Sequence, residues 1–136
     1  MSRITGMDAV TIPVADVQRA VTWYQKLLNA RPSDYATETL CPLEFSSYCG
    51  PVITIVKAGG AERLRFVDEN GRFMAAFSLA CKHVRQMHER MLELGITIHE
   101  FHQDEDEDDK CSFLFEDPDG NVLALTNMVW NERLTE

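Results

Sequence analysis

The chain has 136 residues, 45% of them hydrophobic and 26% charged, values that fit a globular protein with its own core and exclude a disordered one. A net charge of −9 argues against nucleic acid, whose phosphates require a basic stripe, and against binding to anionic membrane surfaces. No apolar run approaches the ~20 residues that span a bilayer. The first residues lack the apolar stretch and small-residue cleavage site of a signal peptide, so the expected location is the cytoplasm.

Residues 9–14 alternate. Val10, Ile12 and Val14 fall on one face and Ala9, Thr11 and Pro13 on the other, which is the period of a half-buried strand. Asp16 stands where an N-cap belongs, and Val17, Ala20, Val21, Tyr24, Leu27 and Leu28 then recur at helical spacing. Strand-like runs follow at 33–39, 43–48 and 52–56, and Ala58-Gly-Gly-Ala61 opens a connection. A shift of 67 brings the same syntax back: Phe77, Leu79 and Cys81 match Val10, Ile12 and Val14. A second stripe of Val84, Met87, Met91 and Leu94 follows, closed by Gly95 as a C′ residue. Its N-cap position falls on His83, a weaker cap than Asp16, so this helix is expected to fray more at its start. Further strand-like runs lie at 96–102, 111–115 and 122–127. The last is preceded by the turn Asp117-Pro-Asp-Gly-Asn121, where Pro118 fixes φ and Gly120 supplies φ > 0.

Each half therefore reads strand–helix–strand–strand–strand. One such unit of ~60 residues buries too little alone, so two are expected to share a core. The expected fold is α+β: two βαβββ modules forming a curved mixed sheet, an open half-barrel with the helices on its outer face and a cleft within. One domain is expected over 1–136, with modules at about 5–58 and 72–130.

Cys41, Cys49, Cys81 and Cys111 are widely spaced without a C-x-x-C pair, which reads as reduced, packed thiols rather than a zinc site. Cys49 and Cys111 are expected near the cleft mouth, inert because no His or Lys pair flanks them. His83 and His88 are five apart on the second helix, hence not on one face, and read as surface or boundary residues. In Ile98-His-Glu-Phe-His102 a regular strand puts Glu100 and His102 on one face and His99 on the other. A carboxylate with a histidine two along can act as base and orienter; the same pattern also suits a polar edge strand. The acidic run 104–109 lacks the glycine and spaced glutamate of a calcium loop and reads as solvated loop.

Two segments carry a family resemblance. Residues 9–28, an alternating strand, an aspartate and a helix bearing Trp23-Tyr24, are similar to the opening of vicinal oxygen chelate proteins (glyoxalase, bleomycin resistance and dioxygenase relatives). Phe115-Glu-Asp-Pro-Asp-Gly-Asn-Val-Leu-Ala-Leu125 resembles the closing turn and last strand of that family. In its metal-dependent members a divalent ion is held by cleft side chains, and the resemblance places those positions at Ala9, Ala76 and Ala124, with a fourth near Thr54. Methyl groups and one hydroxyl supply neither imidazole nor carboxylate, so no metal or other cofactor is expected.

Strand parity turns Ala9, Thr11, Thr54, Ala76, Ser78 and Ala124 into the cleft, with some of Phe45, Tyr48, Phe113 and Phe115 beside them. Small residues, hydroxyls and aromatics suit an uncharged or planar organic ligand. Trp23 and Tyr24 are expected to pack, and Trp130 to line the cleft or a dimer seam. The resemblance implies a metal-free, homodimeric protein that captures a small organic molecule, as the drug-sequestering members do. The alternative is a lyase-, isomerase- or dioxygenase-like enzyme working through Glu100 or His102. A third is a module serving dimer or partner formation. Fold does not decide among them.

Overall fold

The computed structural model describes residues 2–46, 50–107 and 109–130. Tyr48 and Cys49 lie outside these residues. The chain divides into two units, Met1–Arg63 and Leu64–Glu136.

In the first unit, β1 (Ala9–Val14) leads into α1 (Val17–Leu27), followed by β2 (Ala30–Pro32), β3 (Leu40–Phe45) and β4 (Val52–Lys57). The sheet order is β1-β4-β3-β2, with β1 parallel to β4 and the other neighbours antiparallel. Alternation decides which face is covered. Ile12, Val14, Cys41, Leu43, Ile53 and Ile55 are buried beneath α1, which adds Val17, Ala20 and Tyr24. Full burial of each large side chain contributes about 1.5–3 kcal/mol, which holds the helix on this face. Trp23 stands edge-on to Tyr24 at 4.8 Å between ring centroids. Asp16 caps α1, its Oδ1 accepting from the Arg19 N–H at 3.0 Å.

The second unit begins with a two-stranded hairpin, β5 (Phe66–Val67) and β6 (Phe73–Met74), and continues through β7 (Ser78–Ala80), α2 (Val84–Glu93), β8 (Ile98–Gln103), β9 (Cys111–Glu116) and β10 (Val122–Thr126). Its sheet order, β7-β10-β9-β8 with β7 parallel to β10, repeats that of the first unit. Leu79, Cys111, Phe113, Phe115, Leu123 and Leu125 are buried on the α2 side with Val84 and Met91. His88 sits half-buried at this seam, 4.7 Å from the Phe101 ring and 5.1 Å from the Phe113 ring. His83 makes no side-chain cap bond, unlike Asp16. Gly95 adopts φ 75° just past α2, and Gly120 φ 86° in the closing turn.

The register makes the repeat exact in topology but not in spacing. Thr11 pairs with Thr54 in the first sheet as Ser78 pairs with Ala124 in the second. Pro42 lies across from Thr54 as Leu114 lies across from Ala124, so Glu44 and Glu116, two residues further on, are equivalent.

Three expectations are corrected. The strand expected at 33–39 is a turn, and β2 lies earlier. Ser33 Oγ accepts from the Tyr35 N–H and the Thr37 N–H donates to the Leu40 carbonyl, local bonds that compete with a ladder. The strand expected over 76–81 keeps only Ser78–Ala80, leaving Ala76 outside it and exposed. Phe45, Phe113 and Phe115 share the parity of the helix-covered residues, so they do not join Thr54 and Ala124 on the other face.

Candidate functional site

Each sheet has a far face, turned away from its helix. In the first unit this face carries Ala9, Thr11 and Pro13 of β1, with Val52, Thr54 and Val56 of β4 alongside in register. In the second it carries Ser78 and Ala80 of β7, Val122, Ala124 and Thr126 of β10, and Ser112, Leu114 and Glu116 of β9. Ala9, Thr54 and Ala124 are half-buried, whereas Thr11, Ala76 and Ser78 are exposed. Ala9, Thr11 and Thr54 are thus neighbours in one sheet, and Ser78 and Ala124 in the other. At these positions the side chains of each sheet are small and uncharged. The alanine side chains at positions 9, 76 and 124 present carbon and hydrogen only and offer a divalent ion no ligand. Among the described residues, no group of three or more His, Cys, Asp or Glu side chains is placed to hold one.

The chemistry of the second sheet gathers at β8. Its register slips between His99 and His102: His99 pairs with Leu114 and His102 with Ser112, so residues 100 and 101 together oppose Phe113. This is a β-bulge, and Glu100 at its centre adopts φ 43°. A non-glycine residue in that region costs about 1–2 kcal/mol, and such strain gathers at functional sites. The slip corrects the regular-strand expectation: His99 and His102 share the far face with Ser112 and Leu114, while Phe101 turns under α2 against Phe113. Glu100 Oε2 lies 3.7 Å from His102 Nε2 on the exposed part of the strand.

His99 has the nearer carboxylate. Its Nε2 is 2.8 Å from Glu116 Oε2, and Arg65 Nη1 is 3.6 Å from Glu116 Oε1. Phe73 of the hairpin closes the group, its ring centroid 5.0 Å from the His99 ring and 4.8 Å from the Arg65 guanidinium carbon. Carboxylate oxygens only accept, so Nε2 carries the shared hydrogen, and in the neutral ring this leaves the lone pair on Nδ1.

Two side-chain devices hold Arg65 there. Asn121 is fully buried and its Oδ1 accepts from the Leu64 N–H at 2.6 Å, while the Val122 N–H donates to the Leu64 carbonyl at 2.8 Å. Asn121 Nδ2 in turn donates to Asp117 Oδ2 at 2.7 Å, and Asp117 Oδ1 accepts from the backbone of Asp119 and Asn121. The second device is the hairpin turn. Asp68 Oδ1 accepts from the N–H groups of Asn70 and Arg72, and the Arg72 bond above all holds its carboxyl below the usual range.

Sequence reasoning placed Glu100 and His102 but missed His99–Glu116–Arg65, because a glutamate at positive φ gives no sign of a bulge. The hairpin did leave a sign: Asn70-Gly71 is a turn pair, and Gly71 takes φ 79°. Among the cysteines, Cys41 and Cys111 are buried and Cys81 half-buried; burial pushes the Cys41 and Cys81 thiols up, in keeping with packed rather than reactive roles. Trp130 is fully exposed in this unit.

A parallel β1–β4 and β7–β10 closure around one helix each, with small residues at the paired positions, defines a glyoxalase-type module written twice. The profile of the Glyoxalase/Bleomycin resistance protein/Dioxygenase superfamily matches residues 6–125, and the chain belongs to that superfamily. Solved structures agree at the level of fold. The genomically encoded fosfomycin resistance protein FosX of Listeria monocytogenes is 18% identical with a TM-score of 0.71, covering 97% of this chain and 100% of its own. FosX of Mesorhizobium loti is 20% identical with a TM-score of 0.66, covering 97% and 99%. TioX of Micromonospora sp. ML1 is 16% identical with a TM-score of 0.62, covering 92% and 100%. No curated protein matches in sequence. Among the described residues, no helix is long and apolar enough to cross a membrane.

Proposed function

We propose that residues 1–136 act as one cytoplasmic, homodimeric, metal-free domain that binds a small organic molecule against the far faces of its sheets. The observation that carries this reading is the matched floor: Thr11 against Thr54 in one sheet and Ser78 against Ala124 in the other. Side chains this small leave room for a ligand, and their hydroxyls offer hydrogen bonds without charge. Alanine at positions 9, 76 and 124 supplies no donor for a Lewis acid, so the reading takes binding, not metal-assisted chemistry, as the activity. Kinship in fold with fosfomycin resistance proteins supports an antibiotic or similarly sized metabolite as ligand.

Thermal-shift screening of the purified chain against a metabolite and antibiotic panel tests the reading. A ligand that binds the folded state raises the melting temperature by mass action, and the shift should vanish when Thr54 is replaced by Trp to fill the floor. A panel without any shift, or one whose hits survive Thr54→Trp and an equivalent Ala124→Trp, refutes it. Stoichiometric zinc, iron, nickel or manganese by elemental analysis after metal soaking refutes the metal-free part.

A second reading is favoured by the strained bulge: an enzyme of lyase, isomerase or dioxygenase type working through Glu100 or His102, which approach to 3.7 Å. Turnover of any panel hit that is lost in Glu100→Gln and His102→Gln would establish it over simple binding.

A further inference from the structure

The groups at β8 say more about the ligand than the floor does. We propose that His99 is the proton acceptor for the ligand, and that the ligand is accordingly a neutral weak acid, a molecule carrying an ionisable O–H or N–H such as a phenol, an enol or an imide. The inference rests on the reading that a small molecule lies on the far face of the second sheet, and it names the chemistry of that molecule.

Three observations converge. First, Glu116 fixes the imidazole. With Nε2 donating to Oε2 at 2.8 Å, the neutral ring keeps its lone pair at Nδ1 for a ligand, and the register puts His99 on the face that carries Ser112, Leu114 and Ala124. Second, the fold stores strain to bring this about. Without the bulge at Glu100 the two histidines of β8 would fall on opposite faces; with it both stand on the ligand face. Third, the charges around His99 select against the alternatives. Arg65 and Glu116 form a pair of net charge zero, and the other charged or titratable groups on β8 are Glu100 and His102. A ligand arriving as a carboxylate would meet Glu100 and Glu116, and one arriving as a cation would meet Arg65. A neutral hydrogen donor meets neither penalty on arrival, and it becomes an anion only as its proton makes His99 a cation.

The step balances. The ligand O–H bond breaks, the proton forms an N–H bond at Nδ1, and the pair becomes a ligand anion beside an imidazolium. Glu116 stabilises that imidazolium through Nε2–H, and Arg65 compensates the carboxylate, so Glu116 and Arg65 are positioning residues. Phe73 covers the group from the hairpin side.

The test uses 4-nitrophenol, which absorbs differently as phenol and phenolate, and 4-nitroanisole, which has the same ring but no O–H. In the full 15N-labelled chain above the histidine titration range, long-range 1H–15N correlations should show His99 as the Nε2–H tautomer, and Glu116→Gln should erase that preference. Binding of 4-nitrophenol should move the His99 ring nitrogens to the imidazolium pattern and raise phenolate absorbance at fixed pH. 4-Nitroanisole, and 4-nitrophenol on His99→Gln, should bind about tenfold more weakly, the expected loss for one charge-assisted hydrogen bond. An Nδ1–H tautomer in the wild-type protein overturns the proposal without any variant. Equal binding of both probes with resonances of Ser78 and Ala124 shifted but His99 unmoved also overturns it, while leaving the small-molecule reading standing. No binding of 4-nitrophenol overturns the proposal as well, and the thermal-shift panel then decides the broader reading separately.

Discussion

Asn121→Asp is nearly isosteric, yet it should be among the most damaging substitutions in the chain. Asn121 Nδ2 donates to Asp117 Oδ2 at 2.7 Å inside a fully buried environment. The variant places a second carboxyl oxygen there. Two unit charges at that distance repel by about 6 kcal/mol at an effective dielectric constant of 20, but the protein has a cheaper course, which is to bind a proton. Keeping one carboxyl protonated at pH 7, about three units above the ordinary aspartate value, costs about 4 kcal/mol at 1.36 kcal/mol per unit. Proton uptake therefore caps the loss near ~4 kcal/mol, a large share of the stability of a domain this size.

The sign follows from linkage. A carboxyl whose folded-state pKa is raised makes the folded variant bind more protons than the unfolded one, so stability is lost as pH rises above the unfolded value. At pH 5 the same proton costs only about 1.5 kcal/mol. Urea melts of both proteins at pH 7 and pH 5 should thus show a deficit that shrinks by about 2–3 kcal/mol on acidification. A pH-independent deficit, or one below ~1 kcal/mol at pH 7, refutes the reasoning.

Asp16→Ala removes the cap of α1 and should cost about 1 kcal/mol by thermal or urea melting, whereas His83→Asp gives α2 the cap it lacks and should raise stability by a similar amount; equal effects of opposite sign are the expected signature. At the bulge, Glu100→Gly should be neutral to slightly stabilising and Glu100→Val destabilising by more than about 1 kcal/mol, since φ 43° suits glycine and excludes a β-branched side chain. A valine variant as stable as the wild type would mean that β8 is a regular strand. Native alkylation at pH 8 followed by peptide mass mapping should modify half-buried Cys81 well before Cys41 and Cys111, which are 3% and 1% exposed; comparable rates at Cys41 would contradict its packing.

How much of this was legible beforehand differs from element to element. The alternation of Val10, Ile12 and Val14, the Asp16 cap and the Asp117–Asn121 turn are local signals, and the protein uses them as local chemistry predicts. The repeat was visible at its first strand and helix, where a shift of 67 holds. From Thr54 to Ala124 the shift is 70 and from Glu44 to Glu116 it is 72, so a fixed offset loses the later strands. The strand expected at 33–39 failed because Ser33 and Thr37 spend their hydroxyls on turn bonds, which a count of β-formers does not weigh. The His99 group was beyond reach for a different reason. It depends on one residue in an unfavourable backbone region, and on an arginine 51 residues from its glutamate (65 to 116) brought in by a buried asparagine. Strained and long-range features of this kind are where local rules are expected to fail.

A chain that doubles its sheet also doubles every position on it, and the equivalence of Glu44 and Glu116 shows what that permits. Because β1 closes on β4 and β7 on β10, each copy keeps its own ladder, and a change on one floor leaves the hydrogen bonding of the other untouched. One glutamate stands across the ladder from Arg31; the other has acquired a histidine from a bulge and an arginine from a hairpin that the first unit lacks. Two equivalent carboxylates thus sit in one chain at a position that the sheet accommodates twice, and only the second is drawn into a cluster with a histidine and an arginine.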